Sequence, residues 1–124
     1  MQHQPIPHRL LTIVAAALLA SSCTGSHRPQ AVSFHRDIQP ILTAKCAGCH
    51  PSAYPYLDLR APAAYDQLVG ASPPNAPSYE RVVPGRPGLS YLLLHPVDPS
   101  RRNLLTRSER TLIVRWILQG ATNG

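Results

Sequence analysis

A chain of 124 residues is enough for one small domain. Twelve Lys and Arg stand against six Asp and Glu, a formal net charge of +6. The surplus is scattered, with Arg101-Arg102 the only doublet and no basic stripe interleaved with aromatics, which argues against a nucleic-acid surface.

The first nine residues carry Arg9, His3 and His8 and no acid, and the apolar run LLTIVAAALLA follows from Leu10 to Ala20. That run is shorter than the roughly 20 apolar residues a membrane span needs. A basic start before a short apolar segment is the pattern of an export signal. The stretch ASSC, Ala20 to Cys23, resembles a lipobox, with Ala20 where Leu is more usual. Cleavage before Cys23 would leave a lipid-modified cysteine; an ordinary signal peptide cleaved near Ser22 would leave it unmodified. The expected organisation is a signal at 1–22, a polar tether at 23–31 and one domain at 32–124. Export to the periplasm or a membrane surface, with a lipid anchor on Cys23, follows from the first option. Loss of the signal removes Arg9 and leaves the remainder mildly basic.

Phe34, Ile38, Ile41 and Leu42 fall on one face of a helix, and Pro40 should kink or restart it. Pro62 and Gly70 bracket a short helix over 63–69. Five prolines between Ala71 and Pro87 predict a wrapped loop rather than a sheet. GLSYLLLH then reads as a short apolar helix or turn, on which Leu89, Leu92 and Leu93 can share a face. Finally Thr106-Arg107-Ser108-Glu109 forms a capping box, Leu112, Ile113, Trp116 and Ile117 form an apolar stripe, and Gly120 supplies a stop. These signals predict a helix over 107–119. The expected fold class is mostly α: short helices and Pro-rich loops, with so little conventional core that a bound group would serve as a staple.

The chemistry is concentrated in AKCAGCHPS, Ala44 to Ser52. With Cys23 taken by lipid, Cys46 and Cys49 remain as a pair, and in an oxidising compartment an idle pair would be expected to oxidise. A thioredoxin-like redox pair needs a βαβ context and a helix N-terminus to acidify its thiol, whereas this pair ends a helix. A zinc site needs four ligands, and His35, His50 or His95 would have to complete it without a second CxxC or HxxxH. C-x-x-C-H is also the attachment pattern of c-type haem. Two thiols about one helical turn apart can each form a thioether with one vinyl group, and the adjacent His50 supplies the iron's proximal nitrogen.

The blocks VSFHRDIQPILTAKCAGCH, LDLR, RVVPGRPGLSYLLL and LTRSERTLIVRWILQGA resemble, in order, those of the planctomycete-type cytochrome c domain family, over roughly Val32 to Ala121. The resemblance implies a small cytochrome c-like fold around one covalent haem c, with the first and last helices crossing near one haem edge. It implies that Cys46 and Cys49 are the thioether cysteines, that His50 is the proximal ligand, and that Trp116 is the terminal-helix tryptophan, which packs the core. Electron exchange with redox partner proteins in the periplasm or at a membrane surface is the function implied, rather than enzymatic catalysis.

The family's distal Met has no counterpart, because Met1 is the only methionine and leaves with the signal. His95, followed by Pro96, is the first candidate for the sixth iron position. His35 lies on the approaching helix and His27 on the tether, and both are weaker; Asn103 offers an amide, a poor ligand for haem iron. An open position is the other serious option, and it would suit a module that binds nitric oxide or carbon monoxide, with Arg101 or Arg102 nearby. A peroxidase-like reaction would need a distal acid–base pair, which HPVDPSRRN does not clearly supply.

Overall fold

The structure is a computed structural model that describes Met1 and residues 29–94 and 104–124. The expected signal segment beyond Met1, Cys23 and His27, and the stretch from His95 to Asn103, lie outside the described residues. Among the described residues the elements are helices and turns, with no strand, so the fold is mostly α. No described helix is long and apolar enough to cross a membrane.

Ser33 starts the first element. Its hydroxyl accepts from the Arg36 N–H at 3.2 Å, and its own N–H donates to Asp37 at 2.8 Å. The turn that follows, Phe34–Ile38, is π-helical: the Gln39 N–H reaches back five residues to the Phe34 carbonyl. Helix α1, Gln39–Lys45, then restarts with Pro40 in its first turn. A proline costs nothing there, because N–H groups at a helix start have no intrahelical partner. The interruption expected at Pro40 is therefore a widened turn before a fresh helix. Phe34, Ile38, Ile41 and Leu42 are all buried, as their spacing required.

The loop after α1 returns along the core. Leu57 and Leu59 point inward while Arg60 is exposed. Gln39 holds this segment, its side-chain amide donating to the Leu59 carbonyl at 3.0 Å. Helix α2, Ala64–Leu68, buries Ala64 and Leu68. Gly70, at φ +69°, then turns the chain in a conformation most residues avoid.

The Pro-rich segment is a wrapped loop pinned by isolated bridges, Val69 to Val82 and Glu80 to Ser90. A 3₁₀ turn at Pro87–Leu89 leads to α3, Tyr91–Leu94. Leu93 is buried, but Leu89 is 54% exposed and shares no face with it. Ser90 is the reason. Its extended backbone, ψ 114°, separates the two turns and breaks their register. Its buried hydroxyl donates to the Arg86 carbonyl and accepts from the Val83 N–H, each at 3.0 Å.

Helix α4, Arg107–Leu118, carries the expected capping box. The Thr106 N–H donates to the Glu109 carboxylate at 2.7 Å, and the Glu109 N–H donates to the Thr106 hydroxyl at 3.2 Å. Ile113, Trp116 and Ile117 are buried, while Leu112 is half-buried at the core's edge. Trp116 packs against Phe34 with ring centres 5.3 Å apart, and Tyr65 from α2 meets Phe34 at 5.2 Å. This aromatic cluster joins the first and last elements. Polar contacts lock it: Trp116 Nε1 donates to the Thr122 carbonyl, and the Tyr65 hydroxyl to the Ala121 carbonyl, both at 2.9 Å.

Candidate functional site

The C-terminus of α1 delivers the cysteine pair. Cys46 caps the helix, its N–H bonded to the Leu42 carbonyl at 2.8 Å. The chain keeps turning in helical fashion: the N–H groups of Cys49 and His50 both donate to the Cys46 carbonyl at 3.0 Å. The N–H groups of Ala53 and Tyr54 in turn donate to the Cys49 carbonyl. Successive turns thus carry Cys46, Cys49 and His50, and the two thiols are not joined as a disulfide. The loop segment that carries Leu57 and Leu59 touches the site as well, through the Leu59 N–H to the His50 carbonyl at 3.4 Å.

All three side chains line one cavity of about 310 Å³, within the usual range for a small-molecule or cofactor pocket. Leu42, Leu57, Leu59, Leu68, Leu92 and Ile113 supply apolar walls. Lys45, Arg81 and Arg110 also line it, and among the described residues no Asp or Glu does. The cavity is therefore apolar in body with a basic margin. The His50 imidazole is half-buried, and it lies beside Tyr54, with ring centres 5.1 Å apart, and Tyr56, at 6.5 Å. Its Nδ1 is buried.

The electrostatics of the pair bear on the three chemistries. Burial pushes the Cys46 thiol up to about 11, with the neighbouring Cys49 and Glu109 adding to the rise. A dithiol that attacks disulfides needs a lowered thiol pKa, so this environment disfavours a thioredoxin-like role. Among the described residues, no three His, Cys, Asp or Glu side chains group as a metal site would require. Nothing described therefore completes a zinc centre around the pair. The walls present suit a ligand that is apolar in body and anionic at its edge.

Of the distal candidates, only His35 is described. It is exposed on the π-helical turn, against the ring of Phe34 at 5.6 Å, and is not part of the cavity wall. His95, His27 and Asn103 lie outside the described residues, as do Arg101, Arg102 and Cys23. Trp116 is fully buried core and lines no part of the cavity. The motif itself leaves two groups of wall residues unannounced. Tyr54 and Tyr56 follow His50 closely, and that proximity was the available signal. Arg81 and Arg110 come from distant segments, and nothing local marks them.

No protein-family model, curated protein or solved structure matches the chain.

Proposed function

We propose that this chain is a lipid-anchored, single-haem c-type cytochrome of cytochrome c-like fold that passes single electrons between partner proteins at a membrane surface. One observation carries the reading: Cys46, Cys49 and His50, on one run of helical turns, line the same apolar cavity, whose charged walls among the described residues are all basic. A haem is apolar across its ring and anionic at its carboxylate edge, so it matches both properties of the cavity.

Cys46 and Cys49 would hold the group, each thiol adding across one vinyl so that sulfur bonds to one carbon and hydrogen to its neighbour. His50 would supply the proximal nitrogen. When bound, the haem provides an iron that gains or loses one electron. The protein's part is to keep that iron's surroundings fixed. The helical turns below Cys46 hold the backbone of Cys49 and His50, and the leucine walls with Ile113 keep water from the ring. His95 is the proposed distal ligand. A second imidazole in place of Met would poise the protein at a lower potential than a Met-ligated relative. Cys23 is the proposed lipid attachment site, and no substrate is transformed.

The test of electron carriage is redox cycling of protein matured with the haem-attachment machinery. Reduction by dithionite and reoxidation by a soluble acceptor should repeat without loss of spectrum. A haem that reduces but does not return would rule out the carrier role.

A further inference from the structure

Arg81 is the most buried cation of the cavity wall, with 8% of its surface exposed. Burying a guanidinium costs free energy unless an anion or several acceptors compensate it. Its Nη1 donates to the Gln67 carbonyl at 3.0 Å. Among the described residues, the carboxylates within ion-pair distance of a cation are Asp37, Asp58 and Glu109, and their partners are Arg36, Arg60 and Lys45. No described carboxylate pairs with Arg81.

Its backbone is also held from both sides. The Arg81 N–H donates to the Ala71 carbonyl at 2.7 Å, and its carbonyl accepts from the Leu92 N–H at 2.9 Å. The two isolated bridges flank it, at Val82 and Glu80. The Pro-rich loop thus presents one buried, preorganised guanidinium to a cavity with no acidic wall among the described residues. A guanidinium fork matches a carboxylate in two-point geometry.

We propose that Arg81 is a cofactor-binding residue that takes a carboxylate of the bound haem and thereby raises its reduction potential; this rests on the haem reading of the cavity. A fixed positive charge near the ring favours the reduced iron, which carries one positive charge fewer. The Gln67 carbonyl aims the fork, and the apolar walls strengthen its field.

The experiment compares the matured full-length protein with Arg81→Gln and Arg81→Lys by potentiometric titration, each sample first checked for covalent haem by mass. Arg81→Gln should shift the reduction equilibrium toward the oxidised form by about tenfold. Arg81→Lys, which keeps the charge, should recover most of that shift. A merely structural arginine would alter unfolding and leave the potential in place, so unchanged titrations in haem-loaded variants overturn the inference. If the variants fail to mature, a crystal structure of the wild-type protein decides: a haem carboxylate oxygen within about 3.2 Å of the guanidinium supports it, and a carboxylate turned elsewhere overturns it. Wild-type protein that carries no haem would instead overturn the haem reading and this inference with it, and the initial mass check separates that failure from the others.

Discussion

Single residues decide how the iron would be poised. With Met1 the only methionine, His95 is the proposed distal ligand, and an open position is its rival. His95→Ala should convert the iron from low to high spin, or at least open it to carbon monoxide, as read by optical and EPR spectra. An unchanged reduced spectrum would remove His95 from the site. Away from the cavity, Asp58 shows local electrostatics alone. Hydrogen bonds from the Arg60 side chain and backbone hold its carboxyl down at about 2. Because that value lies below the ordinary one, any stabilisation from the pair is present above the ordinary carboxylate range and lost as pH falls through about 2. Both side chains face solvent, so the pair's weight in stability is small. Carboxyl NMR titration should place the Asp58 midpoint near 2, and Arg60→Ala should move it up; a midpoint indifferent to Arg60 would contradict the assignment.

Elements differ in how far their sequence announced them. The capping box of α4 was legible because every contact it needs lies within four residues. The stop at Gly120 was equally local, at φ +98°. The break between Leu89 and Leu92 was not legible, because the hydroxyl bonds of Ser90 reach back to Arg86 and Val83 and exist only once the loop has closed. Arg81 is a stronger case: an arginine in a Pro-rich stretch resembles surface until Ala71, Gln67 and Leu92 close over it. Trp116 was expected in the core, and its contact with Phe34 makes α4 the clamp between the two ends of the fold. Trp116→Ala should destabilise the protein by about 3–5 kcal/mol, measured by denaturant unfolding. A loss below about 1 kcal/mol, typical of surface sites, would show that the aromatic cluster does not hold these elements together.

At the scale of the whole molecule, the described residues form a small helical core with a cavity that brings a sequence-contiguous motif together with basic residues from remote segments. The motif and the first and last elements could be read from local pattern, while the cavity's charge could not. Anchoring belongs to this scale too. Fatty-acid labelling in cells should mark the wild-type protein and not Cys23→Ala, and equal labelling of the two would contradict a lipid on that residue. The central claim is covalent haem on Cys46 and Cys49, and intact-mass spectrometry of the exported, matured protein tests it most directly. The account predicts a polypeptide heavier by one haem, an increment abolished in the Cys46→Ala, Cys49→Ala double variant. A wild-type mass without that increment would contradict it.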